Sequence, residues 1–290
     1  MAQSPSHKFG QNLGKLLEDI VLYDLLKPRL QEFTDSKEYY LDWQRTRLAR
    51  TGKKVTWEDK YGNKHDLDFV IEIGGTETQR GKPVAFIESA WRRYTKHSKN
   101  KAQEIQGAIL PIIELHHLSA PFYGAVLAGD FTNSALAQLE NNGFSLIYIP
   151  YQDVVRAFAQ IDFDIAFDEE TLDEIYSSAS KRLATIKKSD KDKLRQALLE
   201  AASSEIERFM SVLKNCLERY ITQIIIIPIF GIKYKFDDLD DALNQIDTLD
   251  LDTPRGEFKG IEVIVDYSNN DTIRAIFNER VVLIDFLKKL

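Results

Sequence analysis

A chain of 290 residues, 43% of them hydrophobic, is long enough to bury a full core as one large domain or as a larger and a smaller one. No apolar run, "IIIIPIF" included, reaches the roughly eighteen residues a membrane-spanning helix needs, and "MAQSPSHKFG" lacks the apolar stretch of a signal peptide; a soluble cytoplasmic protein is expected. One cysteine, Cys216, excludes an internal disulfide and a thiolate metal site, while the net charge of −7 excludes a uniformly basic surface and leaves nucleic-acid binding to depend on where cations cluster.

In chain order, apolar residues at helical spacing (Leu13, Leu17, Ile20 or Val21, Leu25) predict a first helix that ends near Pro28 or shortly after it. "EYYLDWQRTRLA" reads as a second helix. "KKVTWED" alternates as a strand, "YGN" turns, and "HDLDFVIEI" returns as its hairpin partner. After the polar loop "GGTETQRGKP", "VAFIESA" is apolar on both faces, as a central strand beneath helices would be. A helix with Ser98 at its N-cap then runs through "KNKAQEIQGAILPIIELHH", with a kink expected at Pro111. Strand "FYGAVLAG", helix "NSALAQLENNG", strand "FSLIYIP" and helix "YQDVVRAFAQI" follow, an alternation that implies an α/β sheet with parallel crossovers. The remainder reads as charged helices, then "TQIIIIPIFGIKYKF", an acidic helix "DDLDDALNQID", a hairpin "GIEVIVDYSNNDTIRAIF" and a terminal helix. The organisation expected is a core over 1–165, a helical segment over 166–220 and a small α+β region over 221–290.

One stretch concentrates chemistry. "FIESAWRRYTKHSKNK" sends a carboxylate, Glu88, out of an apolar strand and follows it with a crowd of cations, in a protein that is acidic as a whole. Such a carboxylate is expensive to desolvate unless it is paired or metal-bound, so Glu88 is either a metal ligand or the partner of Arg92 or Arg93. Asp66 and Asp68 share a strand face by the period of two, and either can supply a second carboxylate; Asp68 is preferred because the apolar run follows it at once. Glu18 lies on or near the apolar stripe of the first helix. Trp91, directly after a buried strand, reads as a packing residue, and His65 and His97 as accessory groups. His116 and His117 are adjacent and point apart. There is no phosphate-binding glycine loop and no nucleophile elbow.

Taken by element, Glu18 on the first helix, Asp68 in the hairpin strand and Glu88 on the next strand resemble the PD-(D/E)XK nuclease superfamily over roughly residues 10 to 160. "LDFVI" takes the place of the Pro-Asp segment and "FIESA" that of the (D/E)XK segment. The resemblance implies an α/β, restriction-endonuclease-like core, a mixed sheet flanked by helices, followed by helical and small α+β C-terminal regions. It implies that Asp68 and Glu88, with Asp66 as the alternative and Glu18 as an extra ligand, hold Mg²⁺, or Mn²⁺ in its place. A hard cation with oxygen ligands neutralises charge developing on a phosphodiester and acidifies a bound water, which is why converging carboxylates serve this hydrolysis. Ala90 stands where the family keeps its lysine. Lys101, on the first turn of the following helix, is the chosen replacement, ahead of Lys96 and Lys99. Arg92, Arg93, Tyr94, Thr95, Lys96, His97, Ser98 and Lys99 then form a donor-rich surface for the phosphate backbone. The implied activity is that of a Mg²⁺-dependent endonuclease on double-stranded DNA, of the Type II restriction kind, working as a homodimer away from membranes. Two alternatives stay open: an inactive member of the fold that binds nucleic acid or protein, which Ala90 favours, and a repair or junction-resolving nuclease.

Overall fold

Ser4 starts the first helix. Its hydroxyl accepts the His7 N–H at 3.3 Å, Pro5 occupies a position that needs no N–H, and α1 (Pro5–Glu18) follows. The computed structural model describes residues 4–93, 98–168, 170–228, 233–249 and 260–290. Contrary to the expectation from Pro28, the helical path does not end there. It widens into a π-helix over Asp19–Leu26, marked by the Lys27 N–H donating to the Leu22 carbonyl five residues back, and continues as α2 (Lys27–Ser36). Wide turns leave room for a proline ring against the carbonyl four residues before it, so Pro28 is carried within the path.

The segment expected as a second helix is instead a strand, β1 (Tyr39–Trp43), paired antiparallel with β4 (Phe69–Ile73) from Tyr39 opposite Ile73 to Trp43 opposite Phe69. Its aromatic residues favour a pleated surface, and its buried Asp42 is neutralised by Arg47 at 2.8 Å and Arg50 at 3.0 Å. Arg47 also reaches Glu72 at 2.7 Å. β2 (Val55–Glu58) and β3 (Lys64–Leu67) form a separate two-stranded sheet. "HDLDFVIEI" is therefore two strands, broken at Asp68: β3 belongs to the hairpin, β4 to the main sheet.

β5 (Lys82–Arg92), α3 (Ser98–Leu115), β6 (Phe122–Gly129), α4 (Asn133–Asn141), β7 (Ser145–Pro150) and α5 (Tyr151–Ala159) follow the expected alternation. The sheet order is β1-β4-β5-β6-β7, antiparallel from β1 to β5 and parallel from β5 to β7, a mixed α/β sheet flanked by helices. On one face Val70, Phe86 and Ala90 join Ala102, Ile105 and Ile109 of α3 and Leu139 of α4 in a continuous core. α1 lies against β5, and α5 against β6 and β7.

α6 (Asp173–Ala184) and α7 (Lys188–Leu217) come next. The chain divides into two units, residues 1–115 with 122–213, and 116–121 with 214–290. The segment 166–220 is thus no unit of its own: α6 packs on α1 through Phe9, whose ring stands 5.1 Å from Phe167 and 5.8 Å from Tyr176. The second unit holds β8 (Ile221–Pro228), β9 (Tyr234–Phe236), α8 (Leu239–Gln245), β10 (Ile261–Tyr267), β11 (Thr272–Phe277) and α9 (Arg280–Leu287), its antiparallel sheet ordered β11-β10-β8-β9. Ile224, Ile226, Val263, Val265 and Leu287 form its core. Residues 116–121 join it because Arg219 donates to the Ser119 and Ala120 carbonyls while pairing with Asp271 at 2.9 Å. Among the described residues no helix is long and apolar enough to cross a membrane.

Candidate active site

The register of β4 against β5 brings the carboxylates together. Phe69 pairs with Ile87, so the next position in the same register sets Asp68 opposite Glu88, and directly opposed residues of antiparallel strands share a face. Asp68 is fixed at the break between β3 and β4. Its N–H donates to the Ile87 carbonyl at 3.2 Å, and its Oδ2 accepts the Ser89 N–H at 2.8 Å. Glu88 lies inside the 11-residue β5, not at its end as expected. Strand alternation groups it with Phe86 and Ala90, both packed in the core shared with α3, so Glu88 faces α3.

Among the described residues no ion pair is made to Glu88. Its Oε2 is buried with no hydrogen-bond partner among the described residues. Burial pushes its pKa up to about 8, the Asp68 charge adds to the rise, and the Lys101 ammonium opposes it. Asp68 is raised as well, chiefly by burial, against the Ser89 hydrogen bonds and the same ammonium. Lys101 stands on the first turn of α3, with Glu104 at 3.3 Å, and acts on both carboxylates. Across from them, Glu18 is raised by its own burial and then by Asp68, and burial followed by Asp68 and Glu18 pushes Tyr23 up to about 12. A cleft of about 890 Å³ is lined by Gln11, Lys15, Glu18 and Tyr23 and by Ser89, Arg92, Arg93 and Lys101; Asp68 and Glu88 themselves are not part of its lining.

The donor set fits Mg²⁺ in kind. Asp68 and Glu88 offer hard oxygens, one of them buried and unsatisfied. Among the described residues no three His, Cys, Asp or Glu stand together as a metal-binding group, so the site is a pair of carboxylates, the number Mg²⁺ takes when waters and phosphate oxygens fill its other positions.

Other expected residues lie elsewhere. Asp66 sits on β3, exposed, its carboxylate taken by Lys54 at 2.5 Å and Thr56 at 2.7 Å, which leaves Asp68 as the strand carboxylate of the site. Arg93, expected on the phosphate surface, follows β5 directly and is buried: it donates to the Ser6 hydroxyl at 2.8 Å, lies 4.8 Å from the Tyr176 ring centre, and is one of the residues lining the cleft. Arg92 is half-buried, lines the cleft and reaches Glu104 at 3.8 Å; neither arginine pairs with Glu88. Lys99 is exposed on α3. Tyr94, Thr95, Lys96 and His97 lie outside the described residues, as does the side chain of Ser98. His65 is bound to Asp59 at 2.9 Å. Trp91 packs: a Cβ on Gly14 would come within 2.9 Å of its ring, and Tyr151 lies 6.0 Å away. Sequence reasoning missed Ser89 and Tyr23. Ser89 was findable as the residue after Glu88, whereas Tyr23 enters the cleft only because the helix widens.

No protein-family model matches this chain, and no curated protein matches it. A search of solved structures finds similarity to the crystal structure of a protein of unknown function, AF1548, at 12% identity over 73% of this chain and 99% of that one, with a TM-score of 0.28. Likeness at that level bears on neither fold nor activity.

Proposed function

We propose that this protein is a Mg²⁺-dependent endonuclease of double-stranded DNA, built on a restriction-endonuclease-like core, resembling the Type II enzymes and acting as a homodimer. The observation that carries the reading is the opposed pair Asp68 and Glu88, with Glu88 Oε2 buried and unsatisfied and one ammonium, Lys101, acting on both. Asp68 and Glu88 would hold the metal, which supplies charge neutralisation at the scissile phosphate and a more acidic water. Ser89 N–H fixes the Asp68 carboxylate in orientation. Lys101 orients the attacking water and stabilises charge in the transition state. Arg92 lines the cleft in a position to contact phosphate.

A second reading, an inactive member of the same fold that binds nucleic acid or protein, is favoured by Ala90, which is buried in the apolar core where the family keeps its lysine. Incubation with long duplex DNA with and without Mg²⁺ separates the two: discrete bands are expected, a smear indicates cleavage without site preference, and intact DNA with every divalent metal supports the inactive reading. Asp68→Ala and Glu88→Ala are expected to abolish metal-dependent cleavage and leave duplex binding in place; wild-type cleavage by either variant would refute the assigned site.

A further inference from the structure

The π-helix turns a second feature toward the helical face on which Glu18 lies. At about 100° per residue, a straight α-helix would put Lys27 on the face opposite Glu18. A π-helix closes its hydrogen bonds one residue later, so each turn is wider and the later residues fall back toward the starting face. Glu18 and Tyr23 accordingly both line the cleft. The Tyr23 ring stands 6.0 Å from Phe69, next to Asp68 in sequence, and 5.9 Å from Trp43 at the end of β1. The Lys27 ammonium sits 3.6 Å from the centre of the Trp43 ring, and Gln44, the next residue, is exposed and lines the cleft.

Lys27 is poorly matched to its surroundings as they stand. Half-buried, it has no carboxylate partner among the described residues; its pKa is lowered first by burial and then by the Arg45 guanidinium, with no acidic group offsetting either. Arg45 is itself engaged by Glu77 at 2.7 Å and lies 5.7 Å from the same Trp43 ring. A cation held against an aromatic ring, beside another cation and next to the cleft-lining residues Tyr23 and Gln44, is completed by an anion. Polar Gln44 adds a donor that carries no charge, as contacts to a phosphate oxygen commonly do.

We propose that Lys27, seated on Trp43 with Gln44 beside it, is a phosphate-binding subsite for the DNA strand, separate from the Asp68 and Glu88 pair and adjoining the stretch of cleft that Tyr23 and Gln44 line. This rests on the nuclease reading above and adds to it a contact that holds the substrate in register away from the reacting phosphate. The widened helix is what lets one helical path present both Glu18 and Lys27 to the same strand.

The probe is a fluorescently labelled DNA duplex, titrated by anisotropy in EDTA at several KCl concentrations with wild type, Lys27→Met, Lys27→Arg and Glu88→Gln. Methionine keeps an apolar stem over Trp43, and circular dichroism and melting establish that each variant is folded. Lys27→Met is expected to bind about tenfold more weakly, as loss of a charge-assisted contact implies, and to lower the slope of log affinity on log salt by about one. Lys27→Arg should restore both, and Glu88→Gln should keep the wild-type slope. Wild-type affinity and slope in a folded Lys27→Met, with wild type binding and cutting DNA, overturn the subsite alone. Failure of wild type to bind any duplex overturns the nuclease reading and the subsite with it.

Discussion

Glu88→Gln tests the carboxylate pair without relying on cleavage. Glutamine keeps the shape and removes the charge that burial and Asp68 disfavour. The ordinary value for this carboxylate is 4.5 and its value in the fold is about 8. A group whose folded pKa is raised contributes stability that is fully present below its unfolded pKa and is lost as pH rises through the folded one, here across the window from 4.5 to about 8. At about 1.4 kcal/mol per pH unit that separation sets a ceiling of about 5 kcal/mol, and because Glu88 is only partly buried, solvent screening reduces the expected gain for Glu88→Gln to about 2 kcal/mol. For a cooperative unit of about 200 residues this is a rise in Tm of roughly 4–8 °C. Melting in EDTA should therefore show Glu88→Gln more stable than wild type near about pH 9 and equal to it near about pH 4, below both pKa values. Mg²⁺ at the higher pH should raise the wild-type Tm by mass action and leave Glu88→Gln unmoved. A Tm difference that does not change with pH, or equal stabilisation of both proteins by Mg²⁺, would refute the reasoning.

Lys101→Met should lower the single-turnover cleavage rate by about 10²–10⁴-fold with little loss of duplex binding, because its ammonium, largely shielded from solvent, acts electrostatically on both carboxylates. Lys101→Met with Ala90→Lys should recover part of that rate, residue 90 sharing the face of Glu88; full activity in Lys101→Met alone would move the role to another lysine. The two arginines should separate: Arg92→Ala lowers the salt slope of duplex binding by about one, whereas Arg93→Ala leaves the slope unchanged and costs about 2 kcal/mol in chemical denaturation, since its guanidinium is buried against Ser6 and Tyr176. A lowered slope in Arg93→Ala, with stability intact, would return that residue to the DNA surface.

The α/β alternation from β5 to α5 was legible because each element carries its own period, with apolar residues marking which face is buried. So were the placement of Glu18 on the first helix and Glu88 on the strand before α3, and a helix beginning near Ser98 that carries Lys101 on its first turn. β1 was misread because its Asp42 looks like a solvated residue until Arg47 and Arg50 close on it from the loop beyond the strand. The break at Asp68 was hidden for a similar reason: "HDLDFVIEI" alternates well enough for one strand, and only its two different pairing partners divide it. Arg93 and Arg92 are indistinguishable as letters. One is buried beneath α1 and α6 because the strand's alternation sends neighbours to opposite faces and the far helices cover one of them. Local sequence records the apolar period of an element; it does not record the distant side chain that satisfies a buried charge, nor the widened turn that redirects Tyr23 and Lys27, because both depend on contacts that exist only once the chain is packed.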